Sequence, residues 1–199
     1  MLSKILNKDE KKAQIWIETV IYTLIGLILI GMVLAVAKPA INKMKDQNVV
    51  KDTITSMNEI DNQIDEVKNG GTSSAKKTFF LITKGELIID GKSDKIRFVI
   101  DDISYAASEA ETVSRNVSIP TSNLKIQTQK LGKGYRVEIW RDFSSDNIDI
   151  QFDGDIDKQK TFNLAPTPYV LMVENLGREA VTLENLNPKL KINIYEVSR

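Results

Sequence analysis

Glu18 is the one carboxylate placed where its charge is costly. It stands immediately before an uncharged run from Thr19 to Ala37, TVIYTLIGLILIGMVLAVA. A carboxylate at mid-bilayer costs on the order of 2.5–3.5 kcal/mol on insertion scales, and less near the interface. Such a group needs a partner, a proton, or a seat at headgroup level, where it complements the helix N-terminus. Chemistry is scarce elsewhere. The 199 residues include neither His nor Cys, which removes the commonest metal ligand and the side chain that titrates near neutrality. Ser-His-Asp and Cys-His sites are impossible, and no disulfide framework exists. The lack of Cys leaves the compartment open, because an exported domain can rely on its core alone.

Two further constellations stand out. Asp146, Asp149, Asp153, Asp155 and Asp157 cluster around the Asp153-Gly154 turn. Their spacing matches no EF-hand loop, so a solvated turn is favoured over a Ca²⁺ site. Asn116-Val117-Ser118 is the only glycosylation sequon and lies in a predicted loop before Pro120, so Asn116 is a candidate N-glycan acceptor on an exported chain. There is no Gly-rich phosphate loop, no glycosidase carboxylate pair and no nucleophile motif. A protein that is not an enzyme, with no cofactor, metal or evident small-molecule substrate, is expected. Lys plus Arg and Asp plus Glu are 27 each, a net charge of zero. With no basic surplus to hold a phosphate backbone, nucleic acid is not an expected partner.

The elements that position these residues begin with the apolar run. Its nineteen residues span roughly 28 Å as a helix, close to the hydrocarbon core of a bilayer. A secretory h-region is shorter and ends at a small-residue cleavage site, whereas this run ends at Lys38-Pro39. It is read as a transmembrane helix over 14–38. Lysines at 4, 8, 11 and 12 precede it and Lys38, Lys43 and Lys45 follow, a balance leaning slightly toward a cytoplasmic N-terminus. Gly26 and Gly31 are five apart, which is not the small-xxx-small helix-packing spacing.

The residues just before the helix read Lys11-Lys12-Ala13-Gln14-Ile15-Trp16-Ile17-Glu18. This stretch resembles the class III signal peptide of archaeal type IV pilin-like proteins, with basic residues, a small residue, Gln, and Glu four positions on. Ala13 stands where Gly is frequent in that family, and Trp16 where a small polar residue is common. The resemblance implies that prepilin peptidase recognises Lys11, Lys12, Ala13 and Gln14, cuts after Ala13, and removes 1–13 as a leader. Glu18 then becomes the fifth mature residue, and its implied partner is the new α-amine of Gln14 on a neighbouring subunit. In that family the hydrophobic helices bundle at the filament axis while β-domains face outward. The implied partners are therefore the membrane, the peptidase, and identical or related pilin subunits.

Beyond Pro39, which is expected to kink the helix, apolar residues recur at helical spacing: Val50, Ile54, Met57, Ile60 or Asp61, Ile64 and Val67. They form one stripe on an amphipathic helix. Asn69-Gly70-Gly71-Thr72-Ser73-Ser74 ends it, so 39–74 is read as amphipathic helix plus break. The stripe suits either a following domain or a coiled-coil stalk. From residue 75 the period changes to two. Strands are predicted at 78–82, 86–89, 95–100, 124–128, 135–140, 148–152, 169–174 and 190–195. A hairpin is predicted over 124–140 and another at Asp153-Gly154, with a short helix possible within 101–115. The fold class is α+β: a long N-terminal helix, transmembrane then amphipathic, followed over 75–199 by an extracellular antiparallel β-sandwich-like domain. The break and change of period suggest that 75–199 folds without the helix, unless the stripe covers the sheet. The leading functional expectation is a structural or minor subunit of an archaeal surface filament. The alternative is a single-pass, membrane-anchored β-sandwich that binds a partner and never polymerises.

Overall fold

The apolar run and the stripe after it join into one helix, α1 (Leu2–Gly70), in the computed structural model, which describes residues 2–108, 117–178 and 188–197, with side chains from Trp16 onward. Pro39 lies inside α1, and the helix continues past it. The missing amide removes only one bond from a long ladder, so the expected irregularity does not end the helix. At the other end the chain leaves through Gly71, whose φ of 83° is the left-handed exit that glycine permits.

Ten strands follow among the described residues: β1 (Ala75–Phe80), β2 (Glu86–Asp90), β3 (Lys95–Ile103), β4 (Val117–Ser118), β5 (Lys125–Leu131), β6 (Gly134–Asp142), β7 (Ile148–Phe152), β8 (Gln159–Phe162), β9 (Tyr169–Arg178) and β10 (Leu190–Glu196). They form a four-stranded sheet of order β1-β9-β10-β7 and a six-stranded sheet of order β4-β5-β6-β3-β2-β8. The architecture is thus α+β, a long N-terminal helix followed by a sheet-rich domain. The β5–β6 hairpin forms as the alternation and the Gly132-Lys133-Gly134 turn require.

One local expectation is corrected. The turn at Asp153-Gly154 forms, with an isolated bridge from Phe152 to Asp155, but no hairpin follows it. Strand β7 instead pairs in parallel with β10, and β8 joins β2 in the other sheet. The alternation of β7 fixes its faces but not its neighbour, and the C-terminal strand supplies a more apolar one. In the 101–115 stretch, residues 101–103 continue β3, residues 104–108 are not helical, and 109–116 lie outside the described residues.

The chain divides into two compact units, 1–44 and 45–199. In the second, the inward faces of both sheets and the α1 stripe share one apolar cluster. Val50, Met57, Ile60, Ile64 and Val67 are buried there with Ile89, Phe98 and Ile139 of one sheet and Leu171 and Ile192 of the other. Phe80 of β1 meets Phe98 of β3 at 5.7 Å between ring centroids, and Phe152 of β7 meets Phe162 of β8 at 5.8 Å, so aromatic pairs cross from sheet to sheet. The outer part of α1 is therefore a wall of the domain core.

Candidate membrane and assembly segment

From Trp16 to Met44 the helix presents its apolar side chains on every side. Trp16 is 71% exposed, Tyr22 70% and Val36 78%, and none of the large apolar side chains of this stretch is buried within the described residues. An apolar helix without a polar face belongs in lipid or among other apolar helices, and so large an uncovered surface is not left to water. This helix is long and apolar enough to cross a membrane, with a mean hydropathy of 2.7 in its best window, none of it buried. A Cβ added at Gly26 or Gly31 would meet no neighbour.

Thr23 Oγ1 donates to the carbonyl of Thr19 at 2.7 Å, so this hydroxyl satisfies itself within the helix. Glu18 has no such resource. Its side chain is exposed, and among the described residues it has no hydrogen-bond or ion-pair partner. Lys11, Lys12, Ala13 and Gln14 lie on the same helix, so the Ala13–Gln14 bond sits in helical backbone. Gln14 and Glu18 are four residues apart, one helical turn on one face. Asn116, the candidate glycan acceptor, lies outside the described residues.

The carboxylates around Asp153-Gly154 do not converge. Asp146 pairs with Arg141, Asp149 with Lys189 and Asp153 with Lys158, while Asp155 accepts the Asp157 amide at 2.9 Å. Among the described residues no group of three or more acidic side chains is arranged to hold a metal ion.

A set of polar fastenings within the second unit escaped the sequence reading. Asp46, 8% exposed, accepts Lys84 Nζ at 2.9 Å and the Ser104 amide at 2.6 Å. The geometry depends on β3, whose pairing with β6 shifts register between Ile100 and Ile103, with Asp102 at φ 56°. This bulge turns the Ser104 amide onto Asp46 and leaves the Asp102 carbonyl to accept Lys84 at 3.0 Å. Burial pushes the Asp46 carboxyl up, but the Ser104 amide and the Lys84 ammonium outweigh it and hold it below the usual carboxylate range. Further along, Asp61 accepts Arg141 Nε at 2.8 Å and Asn123 Nδ2 at 2.9 Å, and the Arg141 guanidinium lies 4.5 Å over the Phe143 ring. Asn175 Nδ2 donates to the Val67 carbonyl at 2.9 Å, satisfying one of the acceptors that a helix end leaves open. The only hint in the sequence was Asp61, which fell where the apolar stripe called for a hydrophobe.

No family model matches the chain, and no curated protein or solved structure shows significant similarity to it. The class defined by the geometry is a chain with one helix able to cross a membrane and a β-rich domain whose core that helix helps to build.

Proposed function

We propose that the protein is a pilin-like subunit, structural or minor, of an archaeal type IV pilus-like surface filament. The observation that carries this reading is Glu18, a carboxylate without a partner among the described residues, placed just ahead of a helical stretch whose apolar surface is uncovered on all sides. In a helix that only spans lipid, an acidic residue at this place is costly unless it sits at headgroup level. A helix packed among its own copies gains a charge partner once peptidase cleavage frees the amine of Gln14, and the copies cover the apolar surface. The leader-like Lys11-Lys12-Ala13-Gln14 supports the same reading. The rest of the chain, beyond the membrane, then faces outward on the cell surface.

The test is the yield of sheared filaments from cells expressing Glu18→Val or Glu18→Gln, with membrane levels matched by immunoblot. Glu18→Val should insert as well as the parent or better, because an apolar residue lowers the transfer cost. Its filament yield should fall by an order of magnitude or more, since the ammonium of Gln14 is left unpaired in apolar surroundings. Glu18→Gln retains a hydrogen-bond acceptor and should give an intermediate yield. Parental yield from both variants would remove the assembly role and leave a membrane-anchored domain that does not polymerise.

A further inference from the structure

The outward face of the six-stranded sheet carries a cup of about 500 Å³. Strand register places Lys125 of β5, Trp140 of β6 and Arg97 of β3 side by side in one row across three strands. Gln127 and Glu138 form the next row on the same face. These are the outward positions of strands whose alternate residues, Ile126, Ile139 and Phe98, are buried in the core. The cup is thus built on three hydrogen-bonded strands, which fix the spacing of its side chains.

Its polar groups are incompletely used. Asp90 accepts Ser93 Oγ at 2.7 Å, and Asp142 accepts the amide and hydroxyl of Ser144 and lies 3.5 Å from Lys95. Arg97 is held only loosely, with Nη1 3.6 Å from Glu138, and its Nε is buried without any partner. With Nε covered, the terminal nitrogens are the donors that a third-exposed Arg97 side chain offers to the cup, and a carboxylate is the acceptor they fit. Lys125 is exposed and has no ion pair among the described residues, and neither the Gln127 amide nor the Trp140 N–H has a hydrogen-bond partner among them. Trp140 lies between these two cations, Arg97 and Lys125, and is mostly covered, 9% exposed, so little of the indole itself reaches the cup.

Beside Asp90 and Asp142, which are already engaged, two under-used cations, a free amide and the Glu138 carboxylate offer both donors and acceptors over a largely covered indole. Hydroxyl groups need both at once, and a carboxylate on the ligand is matched by Arg97 and Lys125. We infer that this cup binds an acidic saccharide, a uronic-acid-type sugar whose carboxylate lies between Arg97 and Lys125 and whose hydroxyls meet Gln127 and Glu138. The inference concerns the β-domain alone and stands whether or not the chain polymerises.

The test uses the full chain in detergent micelles carrying Trp16→Phe. With two tryptophans in the sequence, Trp140 is then the only indole reporter. Trigalacturonate is titrated against maltotriose, a neutral trisaccharide, and propane-1,2,3-tricarboxylate, which has the charges without the sugar. Binding heats are measured alongside Trp140 emission. Trigalacturonate should give saturable heat and a matching emission change, and Lys125→Gln and Arg97→Gln should each weaken it about tenfold. Maltotriose should bind more weakly and be unaffected by Lys125→Gln. Thermal melts of the variants within a few degrees of the parent would show that the fold is retained. The assignment is overturned by no saturable heat with trigalacturonate, by heat without an emission change, or by equal affinity in Lys125→Gln. Equal binding of the tricarboxylate would mean a general anion site, and equal binding of maltotriose would remove the acidic requirement.

Discussion

Asp46 shows how a single side chain ties this helix to its sheet. Its carboxylate is buried, so desolvation works against it, yet one backbone amide and one ammonium hold its pKa below the ordinary carboxylate value. A carboxyl whose native pKa lies below its unfolded value contributes stability that is complete above the unfolded value, about 4. That contribution is lost as pH falls through the native value. Asp101, held down by its Arg136 fork, and Asp142, where burial opposes the Ser144 contacts, shift in the same direction and add to acid sensitivity. Asp46→Asn removes only its own share. The variant should be less stable than the parent at pH 6 by about 1–2 kcal/mol, and the gap should narrow by pH 3. Thermal or urea melts at the two pH values measure this. A gap of the same size at both would mean that Asp46 acts through shape rather than charge.

At the scale of the elements, the decisive one is the outer part of α1. Val50, Met57, Ile60, Ile64 and Val67 are each at most 3% exposed. Burying a side chain of this size is worth about 1.5–3 kcal/mol, so the five together match the whole stability of an ordinary domain, roughly 5–15 kcal/mol. A chain beginning at residue 45 should therefore be monomeric and folded, while one beginning at residue 75 should aggregate through the face the helix had covered. Size-exclusion chromatography and circular dichroism of the two check this. A folded, dispersed product from 75–199 would show that the sheets hold together without the helix.

The same elements show what was legible beforehand. The apolar run, the 50–67 stripe and the β5–β6 hairpin follow from local periodicity, and the structure contains them. The partnership of β7 with β10 was not legible, because parallel pairing joins segments about forty residues apart and leaves no local signal. Strand β8, Gln159–Phe162, is short and mostly polar, so it reads as loop until β2 gives it a neighbour. Asp46 and Arg141 look like solvated charges in sequence, and only the fold brings Asp46 to Lys84 and Arg141 to the buried Asp61. The row of Lys125, Trp140 and Arg97 is likewise assembled from three strands by register alone.

For the whole molecule, the two units have opposite surfaces. Residues 45–199 close an apolar core beneath charged sheet faces, whereas 16–44 leave their apolar side chains uncovered. Lipid covers such a helix in a membrane, and neighbouring copies cover it in a filament. On the proposed reading, removal of 1–13 licenses the passage from one to the other, with the freed Gln14 amine as the counter-charge of Glu18 between subunits. The most direct measurement is mass spectrometry of the N-terminal peptide of this chain, taken separately from sheared surface filaments and from membranes. The expected result is a filament chain beginning at Gln14 with its α-amine free, with uncut chain confined to the membrane. Chains retaining Met1 or Leu2 in every fraction would contradict the pilin-like reading.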